Sequence, residues 1–239
     1  MSVPSHKVDV ITGISSMAMR HVLAELADAY KQRSRQRVVI VSVGGVEAAR
    51  RVKDGEPFDF VVLAAEAIDQ LASAGWVDPG SRTDLARSGV AIAVASGAQR
   101  PDVASEAAIR DAVLRARSIG YSTGPSGAHL VRLFERWGIA GAIAQRAVQA
   151  PPGIPVGTLV ARGDVELGFQ QLSELIHLPG IDVIGLLPPE IQVVTVFSAA
   201  VCTASNRGAG VRALFAFLGS PEADAAKRRH GMEPARADA

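Results

Sequence analysis

Short apolar runs alternate with longer amphipathic stretches along the chain, and this confines it to βαβ units on a mostly parallel sheet. Val8–Thr12 reads as a strand. Met17–Gln32 reads as a helix, because Met19, Val22, Leu23, Leu26 and Tyr30 recur at helical spacing. Val38–Val43 is a second strand, and Val46–Lys53 a helix closed by Asp54 and Gly55. Phe58–Leu63 is a third strand, followed by the helix Glu66–Ala74 and a stop at Gly75.

A second βα series starts with the strand Val90–Ala95 and the loop Ser96–Pro101. It continues through the helix Ser105–Arg115, strand Ser118–Tyr121, helix Ser126–Trp137, strand Arg146–Gln149, helix Val156–Arg162 and strand Val165–Phe169. The long apolar strand Val193–Cys202 then returns, and the helices Gly208–Leu218 and Pro221–His230 end the chain. A strand that returns after a complete second series suggests re-entry into the first lobe. The expected lobes are residues 1–87 with 197–239, and 88–196, with two crossings that would make a hinged ligand cleft.

Composition removes several classes of function. With 48% apolar and 21% charged residues the chain is an ordinary globular protein, not a disordered one. A net charge of +1 and the lack of a basic patch argue against nucleic acid as a partner. The cluster Arg33, Arg35 and Arg37 reads as a solvated turn. The lone Cys202 lies in an apolar run and reads as a buried strand residue. The five histidines are scattered, without metal-ligand spacing, so no metal is expected. No nucleophile elbow occurs and no dinucleotide glycine motif follows strand one, so no cofactor is expected. No apolar stretch is long enough to insert in a membrane. The N-terminus has no leader pattern, so a cytoplasmic location is expected, or a periplasmic one if a leader was removed.

Open parallel sheets bind ligands beyond the carboxyl ends of their strands, so the strand-to-helix loops are the candidate site. After strand one, Ser15 and Ser16 place hydroxyls and free N–H groups at a helix start, which suits an anion or a plain N-cap. After strand two, Gly44 and Gly45 let backbone approach a ligand, or form a tight turn. In the second series, Ser122, Thr123, Ser126 and Gly127 open a helix in the best single anion-binding loop of the chain, with capping by Ser126 as the alternative. Gly153 precedes another helix, and Gln170 and Gln171 end a strand where an amide could orient a polar ligand. Arg87 sits beside the first crossing and could pair with a carboxylate, whereas Arg82 reads as an ordinary ion pair.

Together, Ile11–Ser16, Gly44–Gly45, Ala49–Asp59 and Thr123–Gly127 resemble the molybdate-binding-protein family of extracellular solute-binding proteins, as does Gly219–Ala223 near the end. The resemblance runs along roughly the whole chain. It implies a type II periplasmic-binding fold, with an oxyanion held by hydroxyls and N–H groups. By position it implies ligand contacts at Ser15, Gly45, Ser126, Gly153 and Gln171. Gly45 replaces the family's second-loop serine and Gln171 its last tyrosine. With two hydroxyl donors absent, a di- or tricarboxylate is the expected anion rather than molybdate, whose oxygens need saturation by donors.

Ser81–Val90, Ala116–Ser122 and Gln170–Leu175 are more specifically similar to the branch that includes aconitate isomerase. Two functions follow. One is a binding protein that hands a small anion to an ABC transporter permease if exported. The other is a cofactor-independent isomerase acting by allylic proton transfer, which needs a base near an activated C–H. Glu47, Tyr121, His129 and Glu174 lie in or near the expected cleft, and none is assigned as catalytic.

Overall fold

The structure, a computed structural model, describes residues 10–236, so Val8 and Asp9 of the first expected strand lie outside the described residues. The elements run β1 (Val10–Ser16), α1 (Arg20–Ser34), β2 (Arg37–Val43), α2 (Gly45–Lys53), β3 (Phe60–Ala64), α3 (Ala65–Ser73), β4 (Thr83–Ala95) and α4 (Glu106–Arg115). They continue with β5 (Ile119–Tyr121), α5 (Pro125–Arg136), α6 (Ala140–Ile143), β6 (Ala147–Gln149), α7 (Val156–Arg162), β7 (Leu167–Gln171) and α8 (Leu172–Leu175). The last are β8 (Ile181–Leu186), β9 (Val194–Val201), α9 (Gly208–Leu218), α10 (Asp224–Arg229) and β10 (Glu233–Pro234).

The chain divides into two compact units. Among the described residues one comprises residues 10–85, 197–227 and 235–236, and the other 86–196 and 228–234. Assignment of all of 197–239 to one lobe therefore needs a correction. Arg228–Pro234 belongs with the second unit, where Glu233 and Pro234 pair antiparallel with Arg87 and Ala86 of β4.

In the first unit β1 lies between β2 and β3, parallel to both, and β3 pairs antiparallel with β9. One sheet face carries Ile14, Val61, Leu63 and Ala200, packed with Ala48, Val52, Ile68 and Leu71 of α2 and α3. Burying such side chains stabilises by about 1.5–3 kcal/mol each for the larger ones. Phe60 meets Phe215 of α9 edge-on at 5.8 Å between centroids. Gly13 makes room for that ring, since a Cβ there would sit 2.2 Å from Phe60 Cζ. Cys202 is buried, and burial, with the Asp59 carboxylate second, pushes its thiol up to about 12. It is a packing residue, with no thiolate at neutral pH.

In the second unit β5 lies parallel between β6 and β7, and β4 pairs antiparallel with β7 and β8. Val90, Ile92, Phe169 and Leu167 pack with Val113 of α4 and Leu130 and Phe134 of α5. Ser105 caps α4, its Oγ accepting from Ala108 N–H at 3.2 Å. Two strands depart from the sequence expectation. β4 begins at Thr83 rather than Val90; its first half mixes Thr83, Asp84, Arg87 and Ser88 with buried Leu85 and Ala86, so no apolar run announces it. β8 was not expected at all, since Asp182 and Gly185 interrupt its apolar run. Among the described residues no helix is long and apolar enough to cross a membrane.

Candidate functional site

In the first unit β1, β2 and β3 run parallel, so the three loops at their carboxyl ends share one edge of the sheet. Helical structure starts directly from each. A 3-10 turn at Met17–Met19 leads into α1, α2 starts at Gly45, and α3 starts at Ala65. Free N–H groups and the positive ends of helix dipoles therefore gather at that edge.

Ser15 is fully buried. Its Oγ lies 2.9 Å from Ser42 Oγ and donates to the Ser16 carbonyl at 3.3 Å. Ser16 occupies the cap position of the 3-10 turn, but its side chain makes no cap bond. Its Oγ is buried and without a hydrogen-bond partner. Plain N-capping, the alternative open at the sequence level, is thus not what either serine does. Gly45 abuts Ser16: a Cβ at Gly45 would lie 3.8 Å from Ser16 Cβ and 3.9 Å from Leu63 Cδ2, ordinary contacts with room to spare. Ser15, Ser16 and Gly45 therefore come together around a buried hydroxyl. Glu47, one turn further on, is held by Arg50 at 2.7 Å, and the hydrogen bond from that guanidinium keeps its carboxyl below the usual range.

In the second unit the carboxyl ends of β5, β6 and β7, at Tyr121, Gln149 and Gln171, again share one edge. Ser122 Oγ lies 2.9 Å from Ser126 Oγ and accepts from Gly124 N–H at 3.2 Å. Gly124 is the cap residue of α5 and Pro125 its first residue, a position that needs no N–H. Ser126 is buried, Ser122 half-buried and Thr123 exposed. Gly127 needs a correction. As part of an anion-binding loop its missing side chain would face the ligand, but a Cβ there would lie 1.7 Å from the Ser122 carbonyl oxygen. The missing side chain admits the protein's own backbone.

Gly153 turns the next loop at φ 80°, a conformation that suits glycine. Gln171 is buried, with its amide oxygen accepting from Thr195 Oγ1 at 2.8 Å and its amide nitrogen donating to the Ser88 and Gly89 carbonyls at 3.0 and 3.3 Å. Those bonds tie β7 to β4 and occupy the group. Arg87, half-buried, donates through Nε to the Pro234 carbonyl at 3.1 Å. Arg82 pairs with Asp69 at 2.8 Å and with Asp84 at 3.3 Å, the ordinary ion pair expected.

The remaining acid–base candidates differ in what holds them. His129 Nε2 is hydrogen-bonded to the Ile191 carbonyl at 2.8 Å. Glu174 of α8 is half-buried, and burial pushes its carboxyl up to about 7 against the opposing pull of a hydrogen bond from Gln170 Nε2 at 2.7 Å. Gln170 is the residue whose role sequence reasoning missed. Its Oε1 accepts from Val156 N–H at 2.7 Å, so one amide caps the start of α7 and orients Glu174. The only available signal was negative, for Pro155 leads into α7 without a side chain that could cap it.

Comparison with known proteins agrees with this architecture. A protein 36% identical over 233 residues, 95% of this chain and 88% of the relative, is the aconitate isomerase of a Pseudomonas species. Among solved structures, the periplasmic molybdate-binding protein of Azotobacter vinelandii matches with a TM-score of 0.77 at 20% identity, over 93% of this chain and 98% of that one. The sulfate-binding protein of Mycobacterium tuberculosis matches at 0.75 and 18% identity, over 95% and 87%. The fold is that of type II periplasmic binding proteins, two α/β units each built on a mixed sheet flanked by helices. Residues 11–233 fit the model of the bacterial extracellular solute-binding proteins, and the chain belongs to that family.

Proposed function

We propose that this protein binds a small di- or tricarboxylate at strand-end loops of the kind that holds Ser16. The observation that carries the reading is Ser16 Oγ, a buried hydroxyl without a partner where helical structure starts from adjacent strands. A buried polar group left unpaired costs about 1–3 kcal/mol, and an arriving anion that accepts its proton removes that cost. The choice of carboxylate over molybdate rests on the supply of hydroxyls. Position 45 offers none, Gln171 is committed to β4, and Ser122 and Ser126 are engaged with each other. A compact tetrahedral oxyanion needs its donors converging on one point, where hydroxyls are lacking, whereas the carboxylates of a larger anion can reach donors that lie apart. Delivery of such an anion to an ABC transporter permease is the family-type role this binding would serve.

The relative named aconitate isomerase, alike over 95% of this chain, favours a second reading in which the bound tricarboxylate is also isomerised by allylic proton transfer without a cofactor. Calorimetry with citrate, cis-aconitate, trans-aconitate and molybdate tests the binding. At least one carboxylate is expected to bind about tenfold or more tightly than molybdate, a difference of about 1.4 kcal/mol. Tighter binding of molybdate would overturn the carboxylate assignment. Proton NMR of trans-aconitate incubated with the protein tests the second reading, which predicts appearance of the cis isomer.

A further inference from the structure

We infer that Glu174, oriented by Gln170, is the catalytic residue that carries the proton in an allylic isomerisation of a tricarboxylate; this rests on the isomerase reading above. Four groups were candidates for a base. Glu47 is locked to Arg50. His129 has Nε2 bound to a main-chain carbonyl. Tyr121 ends β5 and carries a phenol rather than a carboxyl. Glu174 combines an orienting side chain that is itself fixed, as a proton-transfer residue needs, with a partner that is a neutral amide rather than the cation that holds Glu47.

The relay can be followed atom by atom. Val156 N–H donates to Gln170 Oε1, and this sets which way the amide points. Its NH2 must then face Glu174 Oε2, at 2.7 Å. One carboxyl oxygen is pinned and the other is left for the proton. Gln170 cannot be reversed without losing the cap of α7, so it is a positioning residue. α8 starts where β7 ends, at the edge that also holds the ends of β5 and β6, so Glu174 stands among the candidate ligand loops of this unit.

The charges on the elements packed around Glu174 have other partners or face solvent; on the segment that meets Leu172 through Gly231, Arg228 pairs with Glu233 at 3.4 Å. β7 carries none, Asp182 of β8 is paired with Arg100, and Arg162 is exposed in the last turn of α7. His177, just beyond α8, is bonded to His230 at 2.8 Å. Burial thus governs the carboxyl, and it can both take and return a proton near neutral pH.

The step balances without a co-reactant. A C–H bond of the methylene carbon breaks and its proton moves to the free oxygen of Glu174. The electron pair spreads over the allylic carbons and the adjoining carboxylate. The proton then returns to the carbon at the far end, and the double bond moves from one arm to the other. In a tricarboxylate with alike arms the product has the same constitution and can have the opposite geometry.

Isomerisation of trans-aconitate by the wild type, Glu174→Gln and Gln170→Leu, with calorimetric binding for each, tests the assignment. Glu174→Gln is expected to bind trans-aconitate within about tenfold of wild type and to lose at least about 100-fold in rate, the contribution typical of a general acid–base group. Gln170→Leu removes a hydrogen bond that favours the ionised carboxyl, so the limb of the pH–rate profile that requires the free base moves to higher pH, which a purely structural role would not cause. An active wild type with Glu174→Gln within about tenfold of it would overturn the assignment and leave the isomerase reading standing. So would a Glu174→Gln protein that no longer binds the substrate. An inactive wild type would overturn both.

Discussion

Replacing Ser16 by alanine is expected to stabilise the free protein and weaken its hold on the anion. The Oγ removed is buried and has no hydrogen-bond partner. Its desolvation is therefore uncompensated in the unliganded state, at about 1–3 kcal/mol. Recovering about 1 kcal/mol in a chain of this length raises Tm by about 2–4 °C. With anion bound, the same hydroxyl would make a charge-assisted hydrogen bond of about 1.5–3 kcal/mol, so its loss weakens binding by about 10- to 150-fold. Ser15→Ala is the internal control. Ser15 Oγ is paired with Ser42 Oγ at 2.9 Å, so removing it leaves Ser42 without that partner and lowers Tm. Differential scanning calorimetry without ligand and titration calorimetry with the tightest-binding carboxylate measure the two effects. Adjacent serines moving Tm in opposite directions would be hard to obtain from packing alone. Ser16→Ala with lowered Tm and unchanged affinity would refute the reasoning.

Gly127→Ala should destabilise by about 3 kcal/mol, because its Cβ would sit 1.7 Å from the Ser122 carbonyl oxygen and the loop must move to admit it. Tm is expected to fall by roughly 6 °C or more, and a fall of under about 2 °C would show that the loop is not packed against α5 in this way. Stability should also depend on pH through Glu174. Its folded carboxyl keeps a proton up to about 7, against an ordinary value of 4.5, so the folded state binds more protons between those limits. The contribution is full below the lower limit and is lost as pH rises through about 7. Glu174→Gln, uncharged throughout, should match wild type near about pH 4 and exceed it by on the order of 1–3 kcal/mol near about pH 8, read from denaturant midpoints.

Helical spacing and apolar runs were enough to find the strand–helix alternation, because burial on one face imposes them directly. They missed what burial does not impose. The first half of β4, Thr83–Gly89, interleaves polar residues with buried Leu85 and Ala86, and β8 is half-buried up to an exposed Leu186, so neither presents an apolar run. At the candidate site, the positions of Ser15, Ser16 and Gly45 could be expected from strand-end logic. Their partners could not, since Ser42 reaches Ser15 only through the register of β1 on β2. Gly127 shows the same limit from the other side. A glycine announces that something comes close, but only the fold says that it is the Ser122 carbonyl. Gln170 and Gln171 are adjacent and identical in type, yet strand alternation sends one amide to α7 and Glu174 and the other to β4 and Thr195.

The order in which the chain visits its two units has a consequence for synthesis. Nearly all of the second unit, residues 86–196, is one continuous stretch, to which only the short segment 228–234 is added later. The first unit lacks β9 and α9 until after that stretch has been made, although Phe60 needs Val201 as its strand partner and Phe215 as its ring partner. On the ribosome the middle of the chain can therefore close its core while β3 still presents an unpaired edge and one sheet face waits for its helix. The slowest contacts to form are those joining β3 to β9, the pairing of greatest sequence separation within the first unit, and the nascent first unit is where protection by chaperones would count most.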